Sequence, residues 1–156
     1  MTMTAEDNRL TGLWFDGQRF FGSTMGSGYT EDKVPVFEQT ARWLDAYFDG
    51  TPPDFTPPLA LHGTPFREAV WGILQSIPFG RTMSYKEVAT EMARQSGVKR
   101  MSAQAAGSAV GHNPVSLIVP CHRVIGADGS LVGYAGGTDK KAWLLNHEGA
   151  RNVKKD

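Results

Sequence analysis

Residues 84–114 read SYKEVATEMARQSGVKRMSAQAAGSAVGHNP. Ser84 followed three residues later by Glu87 is a capping box, so the stretch opens as a helix carrying Val88 and Met92 on its apolar face. RQSGVKR is a polar turn with a glycine. A second, short helix then starts at Ser102, which supplies the N-cap, and stops at Gly111 and Pro114. Helix, short glycine-containing turn and second helix is a helix-turn-helix outline, one that many packed helix pairs share. The second helix is unusual in composition. Ala103, Ala105, Ala106, Gly107, Ser108 and Ala109 leave almost no side chain on any face, and Gln104 is the single long polar residue in the run. Such a helix serves either tight packing in a core or close approach of its backbone to a partner.

Upstream, GTPFREAVWGILQSIPFG (63–80) is a helix capped by Thr64, with Pro65 in its first turn and Phe66, Val70, Ile73, Leu74 and Ile77 on one face. Before it, TPPDFTPPLALHG (51–63) packs four prolines into an extended connector. Proline blocks helix and ladder alike, so the connector divides the chain into lobes at 1–61 and 62–156. In the first lobe, VPVFEQTARWLDAYFDG (34–50) predicts a helix with Phe37, Ala41, Leu44 and Phe48 on its buried face and Gly50 at its end. LTGLWFDGQRFFG (10–22) predicts a hairpin turning at Asp16-Gly17. The strands preceding Leu10 are not resolved by this pattern. Downstream, VSLIVPCHRVI (115–125) is β-rich, ADG (127–129) is a turn, and LVGYAGG (131–137) continues as strand into a glycine-rich loop. TDKKAWLLNHEG (138–149) closes as a helix capped by Thr138 or Asp139 and ended near Gly149.

The 156 residues suit one domain or two small lobes sharing a core. No apolar run approaches the ~20 residues of a membrane helix. The polar N-terminus carries no signal-peptide pattern, and a lone cysteine fits a reducing cytoplasm. Net charge is zero, which argues against a basic nucleic-acid coat, yet it divides unevenly. Residues 1–61 carry four Lys/Arg against nine Asp/Glu, and residues 62–156 carry twelve against seven. The second lobe is the one suited to an anionic partner, although a merely polarised solvated surface has the same pattern.

Cys121 is the only cysteine. A lone cysteine is commonly a small buried hydrophobe. Three features point elsewhere: Pro120 fixes the backbone before it, His122 and Arg123 follow it, and Asn113, Tyr134 and a glycine loop flank it. A free thiol is only a few per cent ionised at neutral pH, and a histidine with a positive surround raises that fraction. On a strand, adjacent side chains point to opposite faces, so His122 would need a bend or a bridging water to act on Cys121. Cys121, His112, His122 and His147 have no metal-ligand spacing, and a histidine adjoining the thiol does not fit the papain-type peptidase pattern.

NPVSLIVPCHRVIG (113–126), preceded by the small-residue helix and followed by GYAGG and WLLNHEG, closely resembles the alkylguanine-DNA alkyltransferases, the direct-reversal DNA repair proteins also called methylated-DNA–protein-cysteine methyltransferases. The likeness runs from about Leu10 to Gly149, with the first lobe similar to that of bacterial members. It implies an α+β fold: a small N-terminal α/β lobe of antiparallel strands and a helix, then a mainly helical C-terminal domain with a winged-helix-like helix-turn-helix. It also implies irreversible, single-turnover transfer of an alkyl group from O6-alkylguanine to Cys121 after the base is flipped from the duplex. In that resemblance His122 deprotonates the thiol through a water, Glu148 orients His122, Asn113 braces the active-site turn, and Tyr85 assists the departing guanine. Val124, Tyr134, Ala135, Val110 and Lys141 line the substrate pocket. Ser102, Ala103, Gln104, Ala105, Gly107 and Arg123 face the DNA, the helix entering the minor groove. The implied partner is double-stranded DNA containing O6-alkylguanine, with no membrane, no cofactor, no metal and a monomeric chain. Three positions depart from the family pattern. Gln104 stands where an arginine finger is common, Ala135 stands where some relatives have serine, and the N-terminal zinc ligands of some relatives are missing. The rival reading is a non-catalytic protein that binds the alkylated base without repairing it; the presence of Cys121 argues against it. A plain helix-turn-helix regulator ranks third, because the second helix has little side chain with which to read a major groove.

Overall fold

The computed structural model describes residues 1–151, 153 and 154. In chain order the elements are β1 (Thr2–Glu6), β2 (Arg9–Trp14), α1 (Pro35–Phe48), α2 (Pro65–Gln75), β3 (Met83–Ser84), α3 (Tyr85–Ser96), α4 (Ala103–Gly111), a 3-10 turn at Cys121–Arg123, β4 (Val124–Ile125) and α5 (Thr138–His147). The result is the α+β arrangement that the sequence implies: a hairpin and helix, then a helical half containing the α3–α4 pair.

The hairpin does not lie where the Asp-Gly signal places it. β1 and β2 pair antiparallel with Glu6 opposite Arg9, and the two-residue loop is Asp7-Asn8, at φ 49° and 56°. Two successive positive φ values define the turn that matches strand twist, and Asp and Asn tolerate them better than most residues. Asp16-Gly17 instead turns the chain out of β2 into an irregular segment. A Cβ at Gly12 would sit 2.0 Å from the Trp14 ring, so the absence of a side chain there is what lets the indole fold back over β2.

α1 forms over the expected span but buries the neighbouring face. Val36, Thr40, Trp43 and Tyr47 point inward, while Ala41 and Phe48 are exposed and Phe37 and Leu44 are half-buried. Both rows have helical spacing. The larger aromatic area of Trp43 and Tyr47 decides which one turns in. α2, α3 and α4 follow the predicted caps: Thr64 accepts from Arg67 N–H, Ser84 and Glu87 form the reciprocal box, and Ser102 accepts from Ala105 N–H. α5 differs in that Gly137 occupies the N-cap position and Thr138 is already helical.

The run 115–125 is only marginally strand. Val124-Ile125 pairs in parallel with Met83-Ser84, whereas Cys121–Arg123 is a 3-10 turn. Residues 131–137 form no strand. Instead, the segment before the thiol is held by the first lobe. Leu13 N–H donates to Pro114 C=O at 2.8 Å, and Ser116 N–H donates to Leu13 C=O at 2.9 Å. The proline-rich connector lies along the same strand, with Leu10 N–H on Pro58 C=O at 2.7 Å and Ala60 N–H on Leu10 C=O at 2.9 Å.

One hydrophobic core runs through both halves, including Leu10, Leu13, Val36, Trp43 and Tyr47 from the first and Val70, Trp71, Leu74, Val88, Met92 and Val119 from the second. Trp71 is almost fully buried, and its indole N–H donates to Ala109 C=O at 2.9 Å, pinning α2 to α4. Truncating an aromatic at such a position costs about 3–5 kcal/mol.

Candidate active site around Cys121

The small-residue helix packs one face into the core and leaves the other open. Ala106, Ala109 and Val110 are buried in the core, while Ser102, Ala103, Gln104 and Ser108 are exposed, and Ala105 and Gly107 lie between. Small residues thus serve packing behind and leave a shallow face in front. Lys86, Lys99 and Arg100, which the sequence reading did not single out, are exposed and line a groove of about 690 Å³ with Ala103 at the start of α4. Their signal was the charge excess of the second lobe.

Asn113 follows that helix and clamps the loop leading to the thiol. Its Nδ2 donates to Val119 C=O at 2.7 Å, and its Oδ1 accepts from Val115 N–H at 2.9 Å. Both ends of a five-residue loop are thereby fixed to one buried amide. Leu117 within that loop is held at φ 70°, a left-handed conformation that costs a non-glycine residue roughly 1 kcal/mol or more. The loop delivers Cys121 into the 3-10 turn with its thiol 6% exposed. Burial pushes the thiol up, and the Asn113 side chain and the Lys141 charge oppose that shift.

Because Cys121–Arg123 is a turn and not a strand, the opposite-face objection to adjacent residues does not apply. His122 is wholly buried, and its Nε2 donates to Glu148 Oε1 at 2.6 Å. A carboxylate accepts only, so the proton is on Nε2. Nδ1 is then a bare acceptor, buried and without a partner among the described residues. Burial holds His122 below the ordinary histidine range, against the opposing pull of Glu148. The ring is neutral near pH 7, with a lone pair free to take a proton.

Arg123 was expected to face DNA. It does not: it is 8% exposed and turned into the protein. Its Nε donates to Glu148 Oε2 at 2.9 Å, its Nη2 to Glu148 Oε1 at 3.0 Å, and its Nη1 to Ile77 C=O at 2.7 Å. A buried carboxylate needs a charged partner, and the residue two positions after the thiol is the one within reach. Burial raises the Glu148 carboxyl, but hydrogen bonds from His122 and Arg123, with the Arg123 charge, outweigh it and bring it down to about 2. With His122 neutral, Arg123 is the ionic partner. Glu148 Oε2 also accepts from Gly80 N–H at 3.1 Å. Gly80 has φ 77°, and a Cβ there would lie 3.0 Å from Glu148 C=O, so the close approach requires glycine. The final donor, Tyr47, reaches Glu148 Oε1 with its hydroxyl at 2.8 Å. Sequence reading missed Tyr47 and Gly80, since neither lies near the thiol in sequence.

On the other side of the site, Tyr85 begins α3 and donates its hydroxyl to Val132 C=O at 2.7 Å. Lys141 is completely buried, with Nζ on Val132 C=O at 2.9 Å and on the Tyr85 hydroxyl at 3.4 Å. Burial lowers Lys141 to about 8, and burial together with the nearby thiol raises Tyr85 to about 12. Tyr134 is half-buried in the glycine loop, with its hydroxyl inaccessible and without a partner among the described residues. Ala135 C=O accepts from Arg19 N–H at 3.1 Å, which ties that loop to the first lobe. Val110 lies in the same buried cluster as Cys121. Val124 is buried beside the turn, its N–H bonded to Cys121 C=O. Hydrogen bonds join Asn113 to the loop before the thiol and His122 to Glu148, and Tyr85 and Lys141 meet at Val132 C=O, whereas Arg123, expected at the DNA, lies behind the turn on Glu148.

Comparison with known proteins gives the family. Residues 65–150 match the profile of the 6-O-methylguanine DNA methyltransferase DNA-binding domain, and residues 1–61 match that of its ribonuclease-like domain. The chain is 41% identical over 145 residues to the methylated-DNA–protein-cysteine methyltransferase of Mycolicibacterium paratuberculosis, covering 93% of this chain and 83% of that protein. It is 46% identical over 112 residues to the protein of that name in Methanosarcina barkeri, covering 72% of this chain and 68% of the relative. Among solved structures it resembles Mycobacterium tuberculosis OGT in complex with DNA, with a TM-score of 0.80 and 37% identity over 97% of this chain and 87% of that one. An O6-methylguanine DNA methyltransferase from Methanococcus jannaschii gives a TM-score of 0.63 and 28% identity over 99% and 91% of the two chains. From the thiol turn, its buried histidine–carboxylate pair and these similarities together, the chain belongs to the 6-O-methylguanine DNA methyltransferase family.

Proposed function

We propose that this protein repairs DNA by moving the alkyl group of O6-alkylguanine onto Cys121, once per molecule. The observation that carries this reading is the thiol turn: Cys121 on a loop clamped by Asn113, beside a neutral His122 whose Nδ1 is a free acceptor. The thiol proton passes to His122, through a water where the two do not touch. The sulfur then attacks the alkyl carbon, an S–C bond forms, the C–O6 bond breaks, and the electron pair leaves on guanine. Tyr85 turns its hydroxyl from Val132 C=O to the departing base. At about 12 it is a hydrogen-bond donor to the developing charge and not an acid that gives up its proton. The thioether product lacks a good leaving group, so the step does not reverse and each molecule acts once.

The alkyl carbon is inaccessible inside a base stack, so the target nucleotide must be flipped into the pocket. The shallow outer face of α4 suits the minor groove, where close backbone approach matters more than base reading. Val110, Tyr134, Ala135, Val124 and Lys141 are the pocket residues of this reading. Ser102, Ala103, Gln104, Ala105 and Gly107 face the DNA, supported by Lys86, Lys99 and Arg100. The test is intact and peptide mass spectrometry after mixing with an oligonucleotide containing O6-methylguanine. One methyl gained on the Cys121 peptide, absent with unmodified DNA and with Cys121→Ala, is the expected result. Lesion binding without methyl gain would replace this function with the non-catalytic one.

A further inference from the structure

We propose that Tyr47, a residue of the first lobe, is a positioning residue for the His122–Glu148 pair, setting through a shared carboxylate oxygen how readily His122 accepts the thiol proton. The proposal rests on the repair reading for its kinetic consequence but not for its chemistry.

Tyr47 lies in α1, 101 residues before Glu148, and its hydroxyl donates to Oε1, the oxygen that also accepts from His122 Nε2. The phenol is rigidly placed. Its ring stacks on Trp43 with centroids 5.4 Å apart and 7° between planes, Phe79 meets it edge-on at 5.8 Å, and His147 Nε2 donates to its carbonyl at 2.7 Å. Burial and the adjoining carboxylate raise the phenol far above its ordinary value, so the hydroxyl stays protonated and always donates. A donor on Oε1 withdraws electron density from the atom that stabilises imidazolium. Removing it makes the carboxylate a stronger acceptor and so makes His122 easier to protonate. The other charged or titratable groups facing this pair are Arg123 in the turn, Lys141 and His147 from α5, Tyr134 from the glycine loop, and Cys121 itself. None of them moves when only the Tyr47 oxygen is removed.

Tyr47→Phe keeps the ring and deletes the donor. Two quantities are measured on the full chain: the pH titration of the His122 ring by NMR without DNA, and the single-turnover methyl transfer rate from an O6-methylguanine oligonucleotide against pH. The expected result is a His122 titration midpoint raised by about half a unit or more, with the acid limb of the rate profile raised equally. A fluorinated tyrosine placed at position 47 is a stronger donor with the same hydroxyl, and it should move both the other way. The fluorinated variant decides the matter if Tyr47→Phe does not fold. Folded variants with unchanged His122 titration overturn the proposal. A native protein that transfers no methyl overturns the repair reading alone, because the DNA-free titration still tests Tyr47.

Discussion

Asn113 holds Val119 C=O at 2.7 Å with the same side chain whose oxygen receives Val115 N–H. A single buried amide therefore fixes the length of the loop that precedes the thiol and offsets the strained backbone at Leu117. Asn113→Ala leaves a buried carbonyl and a buried N–H without partners. It should cost about 2–4 kcal/mol of unfolding free energy in urea and raise the thiol pKa. Asn113→Asp should restore the acceptor but not the donor, and recover only part of the loss.

Arg123→Ala should destabilise the protein by about 3–5 kcal/mol, because it strands a buried carboxylate. A surface DNA contact would give a variant of unchanged thermal stability with weaker DNA binding. A thermal melt therefore distinguishes the two roles directly.

Acid should unfold the protein in two stages. His122 is depressed in the folded state, so stability falls as pH drops below about 6.5 and the unfolded chain gains a proton that the native one refuses. Glu148 at about 2 contributes stability that is fully present above the unfolded carboxyl value and lost as pH falls from about 4.5 through 2. The second stage is worth about 3 kcal/mol, at 1.36 kcal/mol per unit. Exposed Glu91 is also brought down to about 2, by Arg94 and Gln95. Salt weakens that exposed pair, so the loss between about pH 4.5 and 2 that survives in high salt and disappears in Glu148→Gln is the share of Glu148.

Lys141→Met removes a buried positive charge that holds the thiol down and should raise the Cys121 pKa. The check is the pH dependence of iodoacetamide modification without DNA. In the native protein the same support fades above about pH 8, as Lys141 itself loses its proton. An identical profile for both proteins would remove Lys141 from this role.

Gln104 is exposed on the outer face of α4 and carries no charge. Gln104→Arg should steepen the dependence of DNA affinity on salt by about one phosphate's worth of counterion release. Titrations with an unmodified duplex at several salt concentrations measure the slope, and an unchanged slope would place position 104 away from the phosphates.

The sequence was most informative where a local rule acts alone. Caps at Thr64, Ser84 and Ser102 were legible because neighbouring residues decide them, whereas the turn at Cys121–Arg123 reads as strand because its β-rich flanks hide the bend. The hairpin was misplaced because Asp16-Gly17 and Asp7-Asn8 both satisfy turn chemistry, and only the pairing of Glu6 with Arg9 chooses between them. The buried face of α1 was shifted by one residue, since two apolar rows compete and the core selects the one with Trp43 and Tyr47. Arg123, placed at the DNA by the family resemblance, turns inward instead. Its real partner, Glu148, is 25 residues further along the chain. Tyr47 and Gly80 were invisible for the same reason: what defines them is a carboxylate far away in sequence.

The Glu148 carboxylate gathers donors from positions 47, 80, 122 and 123. Contacts separated by so much chain close late in folding, after the local helices have formed. The oriented His122, with its proton fixed on Nε2 by Glu148, therefore does not exist in a half-folded molecule. A partly folded chain lacks the oriented base beside its thiol, so in the repair reading methyl transfer to Cys121 arrives only with the last long-range closure and reports completed folding.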